Sequence, residues 1–274
     1  TSADTATADT MTDDTLTWVG HATALIDVAG HRVLTDPLLR RRGAHLRRRI
    51  GTVDPAVAVD VDLVLISHAH MDHLDIPALC RIPPKVPVVA PRGTARLLRR
   101  AGRRRVVEVA VGDRVDLGQA RIDVVPASHP GGRGPHSRVD ASPVGYVVEV
   151  AGLRTYFAGD TALFDEMAEL ASIDLALLPI WGWGRTIGVG HLDPEQAVEA
   201  AAMIDPGVVV PVHWGTFSPE DLRRRPPGWL TEPGDEYVQA LERRAPHLAS
   251  SVLRPGESLV LPRRASADHG SGVG

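Results

Sequence analysis

An apolar run that leads directly into a cluster of imidazole and carboxylate side chains constrains this chain more than any other feature. Residues 63–75 read LVLISHAHMDHLD, so three histidines and two aspartates follow four apolar residues and a serine. A continuous apolar run of this kind is typical of a strand buried on both faces of a sheet. A packed core cannot hold so many polar groups unless they have partners. The pattern therefore predicts a chemically active site at the end of a buried strand.

The composition permits one large folded domain. Of the 274 residues, 43% are hydrophobic and 23% are charged, which is enough apolar material for a sizeable core. We expect a single domain over residues 14–262, between disordered tails at 1–13 and 263–274 that have little to bury. The net charge of −4 gives the molecule no overall attraction to nucleic acid or to an anionic membrane.

Cysteine content and hydropathy further restrict the class of protein to which the chain can belong. Cys80 is the single cysteine, so neither an intramolecular disulfide nor a cysteine zinc framework is expected. No run of about 18 apolar residues suggests a membrane span, and the first residues lack the regions of a signal peptide. These features indicate a cytoplasmic protein and leave open whether it forms a homo-oligomer. The single lysine, Lys85, and the many Ala, Gly and Pro residues suggest a bacterial source.

Short β-rich runs alternate with helical ones. Strands are predicted for TLTWV, ATALIDV, HRVLTD, LVLIS, VPVVA, VVEVA, DRVDL, ARIDVVPA, VGYVVEV, LRTYFAG, DLALLPI, GVVVPV and ESLVLP. Helices are predicted for IPALCRI, GTARLLRRAG, ALFDEMAEL, DPEQAVEAAAMI and EYVQALERR. The fourth helix opens with a capping box of Asp193 and Gln196. This order predicts an α/β fold in which two mixed sheets pack together with helices outside.

Three further residues of metal-ligand type follow apolar runs. They are His129 in VVPASHPGG, Asp160 in TYFAGDTALF and His213 in VVVPVHWGTF. Each one alone is more typical of a hydrogen-bonded structural residue. Together with the cluster at 68–73 they can complete the coordination of two zinc-like divalent ions. The joint pattern predicts a metal site built from strand ends.

This pattern resembles the metallo-β-lactamase superfamily, in which H-x-H-x-D-H follows an apolar strand. From Leu16 to Phe217 the similarity is to the branch containing N-acyl-phosphatidylethanolamine-hydrolysing phospholipase D and ascorbate-6-phosphate lactonase. It lies in WVGHATALIDVAGHRVLTDPLL, DLVLISHAHMDHLD, YFAGDTALF, LALLPI, HLDPEQAVEAA and VPVHWGTF. The resemblance implies an αββα four-layer sandwich with a dinuclear metal site between the sheet edges.

The resemblance also implies a ligand set. One ion takes His68, His70 and His129, the other takes Asp72, His73 and His213, and Asp160 bridges the two. Zinc suits this nitrogen-rich set best, with manganese or iron as alternatives. Oxygen-reducing di-iron relatives generally have Glu at the position of His70, which argues against that redox class.

Two metal ions about 3.5–4 Å apart can share a hydroxide and polarise a phosphoryl or carbonyl oxygen. We expect hydrolysis by a metal-bridging hydroxide, on a phosphodiester or a phosphorylated small molecule. A lactonase or amidase on the same site is the alternative, and a nuclease or a non-catalytic metal-binding protein is a further one. Asp72 is the candidate catalytic residue that orients or deprotonates the attacking water.

Three other side chains are candidates around the metals. His191 is a second candidate catalytic residue, which stabilises an oxyanion or leaving group, or else a structural histidine at the start of a helix. Asp36 in LTDP either holds a ligand histidine in one tautomer or caps the turn before Pro37. His21 in GHAT is a candidate substrate-binding residue near the metals, with no more specific role.

The segments expected to face the substrate differ from the phospholipase branch, so its lipid substrate is not transferred. PGGRGPHSRVD follows His129, and IWGWGRTIGVG follows Pro179. Tryptophans there can grip an apolar or ring-shaped group or simply pack, and arginines can pair with a phosphate or carboxylate. The candidate substrate residues are Arg133, Trp181, Trp183 and Arg185.

Arginine supplies nearly all of the basic charge, in runs at 40–42, 47–49, 99–100, 103–105 and 223–225. Solvated helix faces account for such runs, and a nucleic-acid surface is the rival interpretation. The acidic net charge and the lack of a basic strip interleaved with aromatic residues argue against nucleic acid as a partner.

Overall fold

A computed structural model gives the fold and describes residues 13–43, 45–134, 137–182, 188–219 and 228–261. The predicted tails at 1–13 and 263–274 therefore lie outside the described residues, apart from Asp13. Within the described ranges, no helix is both long and apolar enough to cross a membrane.

The first large sheet carries the strand that precedes the histidine cluster. Its strands are β1 Thr15–Gly20, β2 Thr23–Val28, β3 His31–Thr35, β6 Leu63–Leu65, β7 Val88–Pro91, β8 Val106–Val109 and β16 Ser258–Val260. Their order is β16-β1-β2-β3-β6-β7-β8. The strands from β16 to β3 pair antiparallel, and β3, β6, β7 and β8 pair parallel. The carboxyl ends of β3 and β6 therefore meet at one edge.

The second large sheet supplies the other predicted ligands. Its strands are β9 Arg114–Leu117, β10 Ala120–Pro126, β11 Val144–Val150, β12 Leu153–Phe157, β13 Leu175–Pro179 and β14 Val208–Val212. Their order is β14-β13-β12-β11-β10-β9. Strands β9 to β12 form an antiparallel meander, whereas β12, β13 and β14 run parallel.

A small third sheet was not predicted from the sequence. It consists of β4 Arg42–Gly43, β5 Leu46–Arg48 and β15 Phe217–Pro219, in the order β15-β5-β4. Strand β5 pairs antiparallel with β15 through Arg48 and Phe217. The pairing ties the chain after β3 to the segment that follows His213.

The helices cover the outer faces of the sheets. They are α1 Ile76–Leu79, α2 Ala95–Arg100, α3 Pro194–Ile204 and α4 Glu232–Arg244, with 3₁₀ turns at Pro55–Ala58 and Asp165–Glu169. The capping box predicted for α3 is confirmed, since Asp193 accepts from the Gln196 amide and Gln196 accepts from the Asp193 amide. The helix predicted for ALFDEMAEL is wrong: only the short 3₁₀ turn forms, with Met167 as its buried residue.

Strand β6 packs against apolar residues on both of its faces. Leu63 and Leu65 belong to the core between the large sheets, whereas Val64 packs outward with Leu79 of α1 and Leu98 of α2. Because side chains alternate across a strand, a strand covered on both faces needs an apolar residue at every position. This explains the continuous apolar run and confirms the αββα four-layer sandwich.

Two arginines of the predicted solvated runs are buried, so that interpretation is wrong for them. Arg103 donates four hydrogen bonds to backbone carbonyls within residues 79–86. Arg48 donates to the carbonyls of Val19 and Leu38 and lies over the Phe217 ring. Main-chain oxygens replace water around both guanidinium groups, and both arginines thereby fix loops.

Candidate metal centre

The polar residues singled out in the sequence converge where the edges of the two large sheets meet. Each follows an apolar strand except His191, which precedes α3. The residues and preceding strands are His21 after β1, Asp36 after β3, residues 68–73 after β6, His129 after β10, Asp160 after β12 and His213 after β14.

One group of donor atoms consists of imidazoles alone. His70 Nδ1 lies 2.9 Å from His68 Nε2 and 3.2 Å from His129 Nε2. The outward nitrogens have fixed partners, since His68 Nδ1 lies 2.9 Å from Ser67 Oγ and His129 Nδ1 lies 2.7 Å from the Gly190 carbonyl. We call His68, His70 and His129 the imidazole group.

A second group combines imidazoles with a carboxylate and comprises His21, Asp72, His73 and His213, whose ligand atoms lie within 4.8 Å of one another. We call it the mixed group. Asp72 Oδ2 lies 3.2 Å from His21 Nε2 and 3.7 Å from His73 Nε2. His213 Nδ1 lies 2.7 Å from the Trp181 carbonyl, so the other ring nitrogen, Nε2, faces the group.

Asp160 lies between the two groups. Its Oδ1 is 3.1 Å from His213 Nε2. Its Oδ2 is 3.1 Å from His73 Nε2 and 3.8 Å from His68 Nε2. One buried carboxylate therefore faces a member of each group.

The donor atoms fit a divalent metal. Two ligands held about 2.0–2.1 Å from one tetrahedral zinc ion lie roughly 3.3 Å apart, close to the spacings within both groups. His73 Nε2 and Asp160 Oδ1 are buried, and neither has a hydrogen-bond partner among the described residues. Buried polar atoms of this kind are costly unless something binds them, and a cation would do so.

The electrostatics of the centre also suit a cation. Burial lowers the pKa of His68 well below its ordinary value. Burial opposes ionisation of Asp72 and Asp160, yet the surrounding imidazoles hold both carboxyl pKa values well below normal. Burial also acts against a charged His73, but Asp160, Asp72 and Asp36 outweigh it and raise its pKa well above normal. The carboxylates thus attract positive charge, which a metal ion supplies better than a proton on His73.

Asp36 contacts ligand-type residues rather than only a turn. Its Oδ2 accepts from His73 Nδ1 at 2.7 Å and from Ser67 Oγ at 2.5 Å. Its Oδ1 accepts from the Ser67 amide at 2.8 Å. Ser67 was missed by sequence reasoning, although its position directly before the cluster was a usable signal. Asp36 thus reaches His73 directly and His68 through Ser67.

His191 lies at the open side of the centre. Its Nε2 is 3.4 Å from Asp160 Oδ2 and its Nδ1 is 3.3 Å from the Gly188 carbonyl. Burial lowers its pKa, but the hydrogen bond and the charge of Asp160 outweigh burial, so the net shift is upward. The side chain is 16% exposed. Its contact with the Gly188 carbonyl fits a structural histidine, and its position beside the donor groups fits a catalytic one.

His21 lies deep in the centre, with its side chain buried beside Asp72. Its ring centroid is 4.1 Å from that of His213 and 4.8 Å from that of His73. Burial and the neighbouring His213 lower the pKa of His21 to about 3. The imidazole is therefore neutral and can donate one N–H.

The candidate substrate residues differ in where they lie. Trp181 is buried and packs edge-on against Trp229 at 4.9 Å. Arg133 donates to the carbonyls of Ala69 and Leu74, at 3.2 and 3.0 Å, and so holds the loop that carries the histidine cluster. Trp183 and Arg185 lie outside the described residues.

Comparison with known proteins defines the class. Residues 31–214 match the Beta-lactamase superfamily domain, and the chain belongs to that superfamily. The structure of Igni18, a novel metallo hydrolase from the hyperthermophilic archaeon Ignicoccus hospitalis, superposes with a TM-score of 0.68 at 26% identity, over 92% of this chain and 100% of that one.

The family within that class follows from two relatives. The chain is 30% identical over 252 residues to the UPF0173 metal-dependent hydrolase of Caldivirga maquilingensis, covering 90% of this chain and 98% of that protein. It is 32% identical over 254 residues to that of Methanopyrus kandleri, covering 89% and 98%. The chain belongs to the UPF0173 family of metal-dependent hydrolases, with a metallo-β-lactamase fold.

Proposed function

We propose that this protein is a dinuclear hydrolase that acts on a phosphodiester or a phosphorylated small molecule. The observation that carries the dinuclear assignment is the position of Asp160. Its two oxygens lie 3.1 Å from His213 Nε2 and 3.1 Å from His73 Nε2, and the second is 3.8 Å from His68 Nε2. A carboxylate that faces two separate donor groups is suited to bridge two ions.

The proposed ligands divide as the donor groups do. His68, His70 and His129 would hold the first ion, Asp72, His73 and His213 would hold the second, and Asp160 would be shared. Five imidazoles and two carboxylates favour zinc over harder cations, with manganese or iron as the alternatives. The buried His73 Nε2 and Asp160 Oδ1 support this assignment, because each faces another ligand-type atom at 3.1 Å without forming a hydrogen bond to it.

When bound, two such ions lower the pKa of a shared water and polarise a phosphoryl or carbonyl oxygen. Asp72 is 18% exposed, so its carboxylate can reach a water at the open side and orient it or take its proton. His191 lies at the same side, where its N–H can donate to negative charge that develops on the substrate.

Two exposed apolar side chains lie within two residues of residues of the centre in the sequence and favour a substrate with an apolar part beside its anionic group. Met71 is 44% exposed within the histidine cluster, and Val189 is 91% exposed two residues before His191. The sequence similarity to the phospholipase D and ascorbate-6-phosphate lactonase branch supports phosphate as the anionic part. Lactone or amide hydrolysis at the same site is the rival activity.

A substrate screen tests this proposal. Protein reconstituted with two equivalents of zinc is assayed on bis-p-nitrophenyl phosphate and on a panel of acyl-lactones. We expect metal-dependent hydrolysis of the phosphodiester. Faster turnover of lactones would establish the rival activity, and inactivity on both panels at full metal occupancy would favour a nuclease or a non-catalytic metal-binding protein.

A further inference from the structure

His21 is a buried imidazole to which the proposed hydrolysis assigns no role. Its backbone has a φ of 58°, a left-handed conformation that is unfavourable for a residue with a side chain. Such a conformation persists only where the surroundings hold it, and it is found most often at functional sites.

Three hydrogen bonds hold the backbone of His21 in place. Its amide donates to Thr216 Oγ1 at 3.1 Å. Its carbonyl accepts from the His213 amide at 2.9 Å and from Trp18 Nε1 at 2.8 Å. The turn that carries His21 is therefore joined directly to the loop that carries His213, a proposed ligand.

The side chain is aimed at another proposed ligand. His21 Nε2 lies 3.2 Å from Asp72 Oδ2. Four of the proposed ligand histidines are held from outside, His68 by Ser67, His73 by Asp36, and His129 and His213 by backbone carbonyls. His21 gives Asp72 the same kind of outer partner.

We propose that His21 is a positioning residue for the second metal ion, donating its Nε2–H to Asp72 Oδ2 and holding that carboxylate in its ligand orientation. The inference rests on the proposed dinuclear function. Direct ligation by His21 is the competing role. The second ion would already have four protein ligands in Asp72, His73, His213 and the shared Asp160, and the shared water would take a further position, so a fifth protein ligand is not needed.

Two amide variants separate these roles. In His21→Gln the side-chain amide nitrogen can reach the position of the imidazole Nε2 and donate to Asp72. In His21→Asn the amide is one carbon shorter and cannot, although asparagine tolerates the left-handed backbone well. The matched control is His31→Ala, which removes a buried histidine that also lies beside an aspartate, Asp62, away from the centre.

Zinc binding is measured without any substrate, by titration against a chromophoric chelator and by elemental analysis after gel filtration. We expect wild type and His31→Ala to bind two ions with the same two dissociation constants. His21→Asn should keep the first ion and bind the second roughly 10–100-fold more weakly, the usual effect of losing an outer partner of a ligand. His21→Gln should recover most of that loss.

Three other outcomes of the zinc titration would each contradict one part of the proposal. Unchanged second-ion affinity in His21→Asn would show that His21 does not position Asp72. Equal weakening in His21→Gln and His21→Asn would make the imidazole a ligand itself. Wild-type protein that binds fewer than two ions would refute the proposed dinuclear function, whatever the variants do.

Discussion

The imidazole group and the mixed group differ in chemistry and in burial. The imidazole group has nitrogen donors only, and two of its three members are partly exposed. The mixed group contains a carboxylate, and three of its four members are buried. Buried polar groups are costly without fixed partners. The mixed group, with three buried imidazoles, therefore depends more on the residues around it.

Two carboxylates connect the groups from different positions. Asp160 lies between the donor atoms, whereas Asp36 lies behind them and contacts His73 directly and His68 through Ser67. The proposed dinuclear centre predicts that variants affect both ions, one ion or neither, according to which contacts they remove.

Loss of Asp160 should have the largest effect. In the proposed dinuclear centre, Asp160→Ala would deprive both ions of a ligand and remove the negative charge between two neighbouring cations. We expect metal content to fall from two ions per chain to one or none, and hydrolysis to fall by more than the roughly 100-fold that an outer partner can cost. Elemental analysis of protein purified without chelator measures this. Asp165→Ala, an exposed acid nearby, is the control, and two tightly bound ions in Asp160→Ala would refute the bridge.

His191 should affect turnover and leave both ions in place. His191→Ala removes a donor at the open side but none of the proposed ligands, so turnover on the phosphodiester should fall roughly 10²–10³-fold. Because Asp193 and Gln196 still cap α3, the free energy of unfolding should change by no more than about 1 kcal/mol. Kinetics, metal analysis and thermal unfolding are compared with those of His247→Ala, an exposed histidine elsewhere. Metal loss would make His191 a ligand, and unchanged turnover would make it structural.

Asp36 should weaken the mixed group more than the imidazole group. Asp36→Asn replaces a charged acceptor of His73 with a neutral amide, so the second ion should bind roughly 10–100-fold more weakly. The first ion should lose less, because Asp36 reaches His68 only through Ser67. Zinc titration against a chelator gives both constants. Asp14→Asn is a matched control, since Asp14 is a buried carboxylate that accepts from the Ala29 amide far from the centre. Equal weakening of both ions would contradict the proposed order of contacts.

The sequence predicted the parts of the fold that depend on local pattern. The apolar runs gave the strands of both large sheets, and the capping box placed the start of α3 correctly. Convergence of the polar residues was predictable, because ligand-type residues after apolar strands meet at a common edge. The roles of those residues as metal ligands stay predictions until metal binding is measured.

The features that were missed depend on contacts between distant segments. The pairing of Arg48 with Phe217 in the third sheet joins residues 169 positions apart, and two- or three-residue strands carry no periodic signal. Arg103 can be buried because carbonyls within residues 79–86 accept its hydrogen bonds, and these carbonyls come within reach only when the loop is folded. Ser67 gains its partner Asp36 in the same way, because Asp36 follows β3, a different strand from the one that precedes Ser67.

Ser67→Ala should have the smallest effect of these variants and tests the smallest difference between the imidazole group and the mixed group. Ser67 Oγ donates to Asp36 Oδ2 and accepts from His68 Nδ1, so Ser67→Ala removes the outer partner of one member of the imidazole group. A hydrogen bond is worth about 0.5–1.5 kcal/mol, so the first ion should bind up to about tenfold more weakly while the second is unchanged. Ser218→Ala is the control in the same zinc titration, since Ser218 is a buried serine whose hydroxyl accepts from Arg49.

The double variant Asp36→Asn/Ser67→Ala should bind the first ion no more weakly than the weaker-binding of the two single variants, because both act through one chain of contacts. Additive losses would show that Ser67 and Asp36 support the two groups independently.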